Sequence, residues 1–152
     1  MNQLETVRAY YALFERPSRQ ALEELITDDF SLDDNPINWH VRGKAALWAL
    51  LDRSRPAQAS PPNAEPSFVV EEYIGDERRG AARWRWRVSG HSAPMFGLPR
   101  TERSAETIGV AIVEFSEGRL RSLTEYWDAA SVMRQLGADI PAPSFPATAT
   151  PT

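Results

Sequence analysis

Two carboxylates and one tyrosine stand out as side chains whose surroundings suit proton chemistry. Tyr10, in VRAYYALF, lies three residues after Val7 and four before Phe14, so on a helix its ring joins the apolar stripe. Its hydroxyl then points into, or across the rim of, whatever that helix covers. Asp33 and Asp34 precede Asn35-Pro36; on extended backbone they alternate sides, and at most one faces the interior. A carboxylate beside an apolar concavity has its pKa raised by desolvation, which suits a base that takes and returns a proton near neutral pH. Glu125, in TEYWD, shares a strand face with Leu123 and Trp127, and so places a carboxylate among large apolar groups. Each residue also has a plain structural role open to it. Tyr10 fits as a core tyrosine bonded to a carbonyl, the aspartates as turn formers or caps, and Glu125 as a salt-bridged wall residue.

Aromatic residues offer walls for such a site. In ARWRWRV the alternation puts Arg83, Arg85 and Arg87 on one face of a strand and Trp84, Trp86 and Val88 on the other. Trp84 and Trp86, with Phe14, Trp39 and Phe96, would floor a pocket for a flat ligand or serve equally as core. The arginine ladder fits cross-strand pairing with Glu71, Glu106 or Glu114 on the opposite, convex face. His40 and His91 titrate in the range of a proton relay but fall in segments that read as surface or loop.

The elements that must position these residues follow from caps and periodicity. Asn2 with Glu5 makes a capping-box start, Leu4, Val7, Tyr11 and Phe14 recur at helical spacing, and Pro17 stops the helix near Arg16. Ser18 caps a second short helix that closes near Thr27-Asp28-Asp29. Phe30 to Leu32 is a short extended piece leading into an Asp33 to Pro36 turn or irregular strand end; Trp39 to Arg42 is a second piece. A third helix runs from Lys44, and a proline-broken loop spans 56–66. Strands are expected over Phe68 to Ile74 and Gly80 to Ser89, then a loop over Gly90 to Pro99, and a further strand from Glu102 or Arg103. Ser116-Glu117-Gly118-Arg119 turns this strand into the next, which ends at Trp127. Asp128 caps a closing helix, with Gly137 in the left-handed position after it. The reading gives a single domain over 1–137 and a proline-rich, flexible tail over 138–152.

Composition removes several function classes. The chain has 152 residues, a formal net charge of −4 and no basic stripe, so a nucleic acid partner is not expected. It has no cysteine, and its two histidines are far apart in sequence, so no disulfide, thiol nucleophile or histidine-based metal cluster is expected. No apolar run approaches the ~18 residues of a membrane span, and the first residues lack the pattern of a signal peptide. A cytoplasmic, cofactor-free protein is the resulting expectation.

The ending FSEGRLRSLTEYWD, followed by QLG, resembles the closing strands of the SnoaL-like branch of the NTF2-like superfamily. The segment FGLPRTER is similar to the G-x-P-x-T-G-R hairpin of SnoaL-like cyclases, with Glu102 in place of the glycine. This resemblance implies an α+β cone: three N-terminal helices packed on a strongly curved, mostly antiparallel sheet around a pocket. From Tyr10 through Asp34 the chain also resembles the ketosteroid isomerases without a gap. There Tyr10 matches the tyrosine that hydrogen-bonds the substrate oxygen and Asp34 the aspartate that shuttles the proton, with Asn35 inserted before the proline. That family's second, neutral acid aligns with Ala111. Glu125-Tyr126-Trp127-Asp128 is similar to the D-Y-F-D ending of the limonene epoxide hydrolases, whose first acid is catalytic; their middle-strand aspartate has no counterpart in ARWRWRV.

The expected activity is cofactor-independent proton transfer, either aldol cyclisation or double-bond isomerisation, on a small apolar polyketide- or steroid-like carbonyl compound. Asp34, Tyr10 and Glu125 are the catalytic candidates. Phe14, Trp39, Trp84, Trp86, Phe96, Ala111, Leu123 and Trp127 are the candidate substrate contacts. A non-catalytic small-ligand-binding module is the alternative, with epoxide hydrolysis behind both. No metal site is expected. A homodimer is expected through the convex face, where Ile108, Val110 and Ile112 form an apolar row between Glu106 and Glu114.

Overall fold

The structure is a computed structural model and describes residues 1–54 and 67–146. The loop expected over 56–66 and the last part of the tail, 147–152, lie outside the described residues. Helix α1 (Gln3–Glu15) starts at the capping box read from sequence: the Glu5 N–H donates to Asn2 Oδ1, and the Asn2 N–H donates to Glu5 Oε2, both at 2.9 Å. Helix α2 (Arg19–Leu25) is capped by the Ser18 hydroxyl, which accepts from the Ala21 N–H. It stops at Leu25. Strand β1 (Ile26–Asp34) follows with no loop, so Thr27 to Asp29 are extended instead of closing the helix as expected. Ile26 is fully buried and partners Leu120, while Asp28 and Asp29 pair outward with Lys44 and Arg121. Sheet pairing and apolar burial override residue types that, taken locally, look like a helix end.

Asp33 and Asp34 also belong to the strand, and the turn begins one residue later. Asn35–Ile37 is a single 3₁₀ turn with Pro36 in its first positions, closed by Asn38 at φ 51. Strand β2 (Trp39–Arg42) returns along β1, and α3 (Lys44–Ser54) follows. Strands β3 (Phe68–Gly75) and β4 (Arg79–Ser89) form a hairpin. The segment expected to be a loop after Ser89 contains a 3₁₀ helix, Gly90–Phe96. Strands β5 (Ser104–Ser116) and β6 (Arg119–Trp127) meet at Glu117-Gly118, whose φ values of 50 and 78 are those of a tight hairpin turn. Helix α4 (Ala129–Gln135) is capped by Asp128, which accepts from the Ser131 N–H at 2.8 Å.

The six strands form one sheet in the order β2-β1-β6-β5-β4-β3. Neighbours run antiparallel except β1 and β6, which are parallel. The sheet is strongly curved and unclosed, with α1, α2 and α3 packed against its concave side: the expected α+β cone. Val7, Tyr10, Leu22, Phe30, Leu47, Leu51, Trp84 and Leu123 fill the interface, each at most 1 % exposed. Burial of one such aliphatic or aromatic side chain contributes about 1.5–3 kcal/mol. Gly109 makes room for the largest of them, since a Cβ there would stand 2.4 Å from the Trp84 ring. A second, smaller core of Val88, Ala93, Ala105, Val132 and Leu136 lies under α4 and the Gly90–Phe96 turn and closes one end of the cone.

The convex side carries the arginine ladder. Arg83 pairs with Glu71 and Glu72, and Arg85 with Glu71 and Glu106. Ile108, Ile112 and Tyr126 lie exposed on the same face. After α4, the Arg134 guanidinium donates to the carbonyls of Ile140 and Pro141. Among the described residues, no helix is long and apolar enough to cross a membrane.

Candidate functional site

Parallel pairing of β1 with β6 sets Asp34 directly beside Glu125, and antiparallel pairing of β6 with β5 sets Glu125 directly across from Ala111. Both carboxylates point inward and are almost completely buried, at 6 % and 7 % exposure. Tyr10 and Tyr11 reach the same place from α1. The Tyr11 hydroxyl donates to Glu125 Oε1 at 2.5 Å, and the Trp127 indole N–H donates to Asp34 Oδ1 at 2.8 Å. Tyr10, 1 % exposed, stands with its ring edge-on to those of Tyr11 and Phe14. Among the described residues its hydroxyl has no hydrogen-bond partner.

The electrostatics follow from burial without a countercharge. Desolvation pushes the Glu125 carboxyl up to about 8; the adjacent negative charge of Asp34 and the hydrogen bond between the two add to this, against the Tyr11 hydroxyl. Asp34 is also raised by desolvation, but hydrogen bonds from Trp127 and Glu125 hold it down. The two carboxyls titrate as a coupled pair, and burial without a countercharge favours a proton held within that pair in the neutral range. Burial, then the two carboxylates, raise both tyrosines well above their ordinary value, so both are hydroxyl donors at any working pH.

A cavity of about 650 Å³ opens in front of these groups. Tyr10, Tyr11, Asp34 and Glu125 line it, as do Phe14, Trp39, Trp86 and Trp127 of the expected contacts. Tyr11, Phe68 and Trp86 form a stacked column along one wall, with centroids 4.7 and 5.3 Å apart and interplanar angles of 14° and 15°. Trp127 meets Trp86 at 90°. Polar groups from Glu15, Asn38, Ser67, Arg87, Ser89 and Ser92 complete the lining.

Four of the expected contacts stand elsewhere. Trp84, Ala111 and Leu123 are buried in the main core and do not line the cavity: Trp84 packs behind Phe68 and Tyr11, and Ala111 and Leu123 lie under the helices. Phe96 is also absent from the lining and supports Trp86 and Trp127 from the side. His40 faces outward, with Nδ1 2.5 Å from Asp33 Oδ1, and His91 is exposed. Sequence reasoning missed the role of Tyr11, although it shares the helical stripe of Val7 and Phe14 and would have been found by asking which residue meets Glu125. The contribution of Trp127 as a donor, beyond that of a wall, was also not readable before the strands were paired.

The chain matches the family model of the SnoaL-like domain over residues 7–123. None of the curated proteins matches it. Among solved structures it is similar to a SnoaL-like polyketide cyclase from Agrobacterium tumefaciens, with 21 % identity, 90 % of this chain and 100 % of that chain covered, and a TM-score of 0.64. A protein from Catenulispora acidiphila with a ketosteroid isomerase-like fold, in complex with trimethylamine, gives 15 % identity, 88 % and 92 % coverage and a TM-score of 0.66. An LEH-like epoxide hydrolase from M. tuberculosis gives 13 %, 88 % and 87 %, and 0.61. At these identities the structures speak for the fold alone, while the family model spans most of the sequence. This chain belongs to the SnoaL-like domain family.

Proposed function

We propose that the protein catalyses cofactor-independent proton transfer on a small, largely apolar carbonyl compound, of the kind that leads to aldol cyclisation or double-bond isomerisation. The observation that carries this reading is the buried Asp34–Glu125 pair facing a cavity beside an unengaged tyrosine hydroxyl. Asp34, ionised, removes a proton α to the carbonyl; Tyr10 donates a hydrogen bond to the developing enolate oxygen. Glu125 keeps its proton and sits across from Ala111. The neutral acid that resemblance to the ketosteroid isomerases leads one to seek at 111 thus has a substitute one strand away. Aromatic walls exclude water and stack on the substrate.

The test is a pH-rate profile on a panel of β,γ-unsaturated ketones and polyketide esters, comparing wild type with Asp34→Asn and Tyr10→Phe. Tyr10→Phe is expected to lower kcat by about 10²–10³. The wild-type profile is expected to be a bell, falling on the acid side as Asp34 takes up a proton and on the alkaline side near pH 8 as Glu125 loses one. Full activity in Asp34→Asn would end this mechanism.

The second reading, a small-ligand-binding module without turnover, is favoured by the Catenulispora relative, which holds a small molecule. It becomes the better account if the wild type converts no member of the panel. We further propose a homodimer through the convex face, where Ile108 and Tyr126 are 59 % and 52 % exposed. Light scattering at micromolar concentration that shows only monomer removes that claim.

A further inference from the structure

Buried charges in folded proteins are ordinarily paired with an opposite charge. Elsewhere among the described residues that rule is followed: Asp33, one residue before Asp34, pairs with Arg42, and buried Lys44 pairs with Glu23 and Asp28. The Asp34–Glu125 pair does not. Beyond each other, its hydrogen-bond partners are an indole N–H and a phenol O–H, and no Lys, Arg or His among the described residues forms an ion pair with either carboxylate. Among the described residues that line the cavity, Glu15, Asp34 and Glu125 are carboxylates and Arg87 is a cation. Glu15 is already engaged by Ser67 and Phe68, so the uncompensated charge sits at Asp34. In front of it stand the indoles of Trp86 and Trp127, whose ring faces attract cations, and the unpartnered Tyr10 hydroxyl, which has lone pairs to offer.

We propose that this cavity binds hydrophobic ammonium ions, with the charged nitrogen seated against Asp34 and Glu125 and the hydrocarbon against Trp86 and Trp127. A primary or tertiary ammonium supplies the missing countercharge and donates N–H bonds to groups that a neutral carbonyl ligand leaves without a cation. The groups facing the nitrogen are Tyr10, Tyr11 and Glu15 from α1, Asp34 from β1, Arg87 from β4 and Glu125 from β6. This goes beyond the proposed reaction and requires no turnover.

The experiment is calorimetric titration at pH 7 with cyclohexylmethylamine and with its neutral isostere cyclohexylmethanol, on wild type and on the double variant Asp34→Asn/Glu125→Gln. The wild type is expected to bind the amine at least tenfold more tightly than the alcohol, and the double variant to lose that preference. Equal affinity for the two compounds in wild type, binding of neither, or an amine preference that survives in the double variant overturns the proposal. The wild-type comparison needs no variant to fold. Because calorimetry reads binding alone, its failure is distinct from a failure of the carbonyl panel to turn over.

Discussion

Asp33 and Asp34 are adjacent in sequence and have the same side chain, yet the sheet gives them opposite chemistry. On the outer face Asp33, with its side chain 27 % exposed, receives the Arg42 guanidinium and His40, and these hold its carboxyl below the usual range. On the inner face Asp34 has no ion-pair partner among the described residues, and desolvation pushes it up. The outer carboxylates Glu71 and Glu106 share the ion pairing of the first, Glu71 with Arg83 and Arg85 and Glu106 with Arg85. Glu125 repeats the second. Strand parity thus sends Asp33 to the outer face with its cationic partners and Asp34 to the buried inner face beside Glu125.

The most severe way to break this comparison is to neutralise each aspartate in turn. Asp34→Asn is expected to lower turnover of a responsive carbonyl substrate by about 10²–10⁴, the usual contribution of a general base. Asp33→Asn should leave kcat within about twofold, since the exposed pairs it makes are weak and remote from substrate. Steady-state kinetics on both variants measures the difference, and equal losses would show that parity does not separate their roles.

A smaller effect sharpens the comparison through stability. The Glu125 carboxyl has a folded pKa of about 8 against an ordinary value of 4.5, so the folded state holds a proton that the unfolded chain releases. The stability this contributes is fully present below pH 4.5 and is lost as pH rises through 8, with Asp34 acting in the same direction. The slope approaches about 1.4 kcal/mol per pH unit for one proton. Urea unfolding at pH 5, 6, 7 and 8 should therefore show falling stability in wild type and a flatter profile in Glu125→Gln. An unchanged slope would mean that Glu125 is not the group that holds the proton.

The smallest effect is expected outside. Arg85→Gln removes two exposed ion pairs on the convex face and should move the unfolding midpoint by no more than about 2 °C, less at high salt. A calorimetric scan checks it. A large shift would assign that face a load-carrying role in the monomer or in an assembly.

Local chemistry made much of this legible beforehand. The Asn2 capping box, the Ser18 and Asp128 caps, the Glu117-Gly118 turn and the arginine–tryptophan alternation each depend on residues within a few positions of one another. Where sequence reading failed, the deciding partner was distant. Thr27 to Asp29 look like a helix end until β1 is laid against β2 and β6. Asp34 and Glu125 could be picked out as inward carboxylates, but nothing local says that they touch. The substitution of Glu125 for an acid at Ala111 emerges only from the register between β5 and β6. Trp84, Ala111 and Leu123 had the right face but the wrong depth, because parity distinguishes inside from outside and not wall from core.

The one parallel pairing in the sheet also fixes when the site comes into being. The Trp127–Asp34 hydrogen bond spans 93 residues and the Tyr11–Glu125 bond 114, so these contacts close nearly the whole chain. Loops of that length close slowly, and chains dominated by such contacts fold on the slower side of small domains. Until β6 inserts between β1 and β5, Asp34 is an ordinary solvated aspartate and the perturbed pair does not exist. Ligand affinity at this site therefore reports that β6 is in place between β1 and β5, and a chain cut before β6 would lack Glu125 and Trp127 and with them the buried pair.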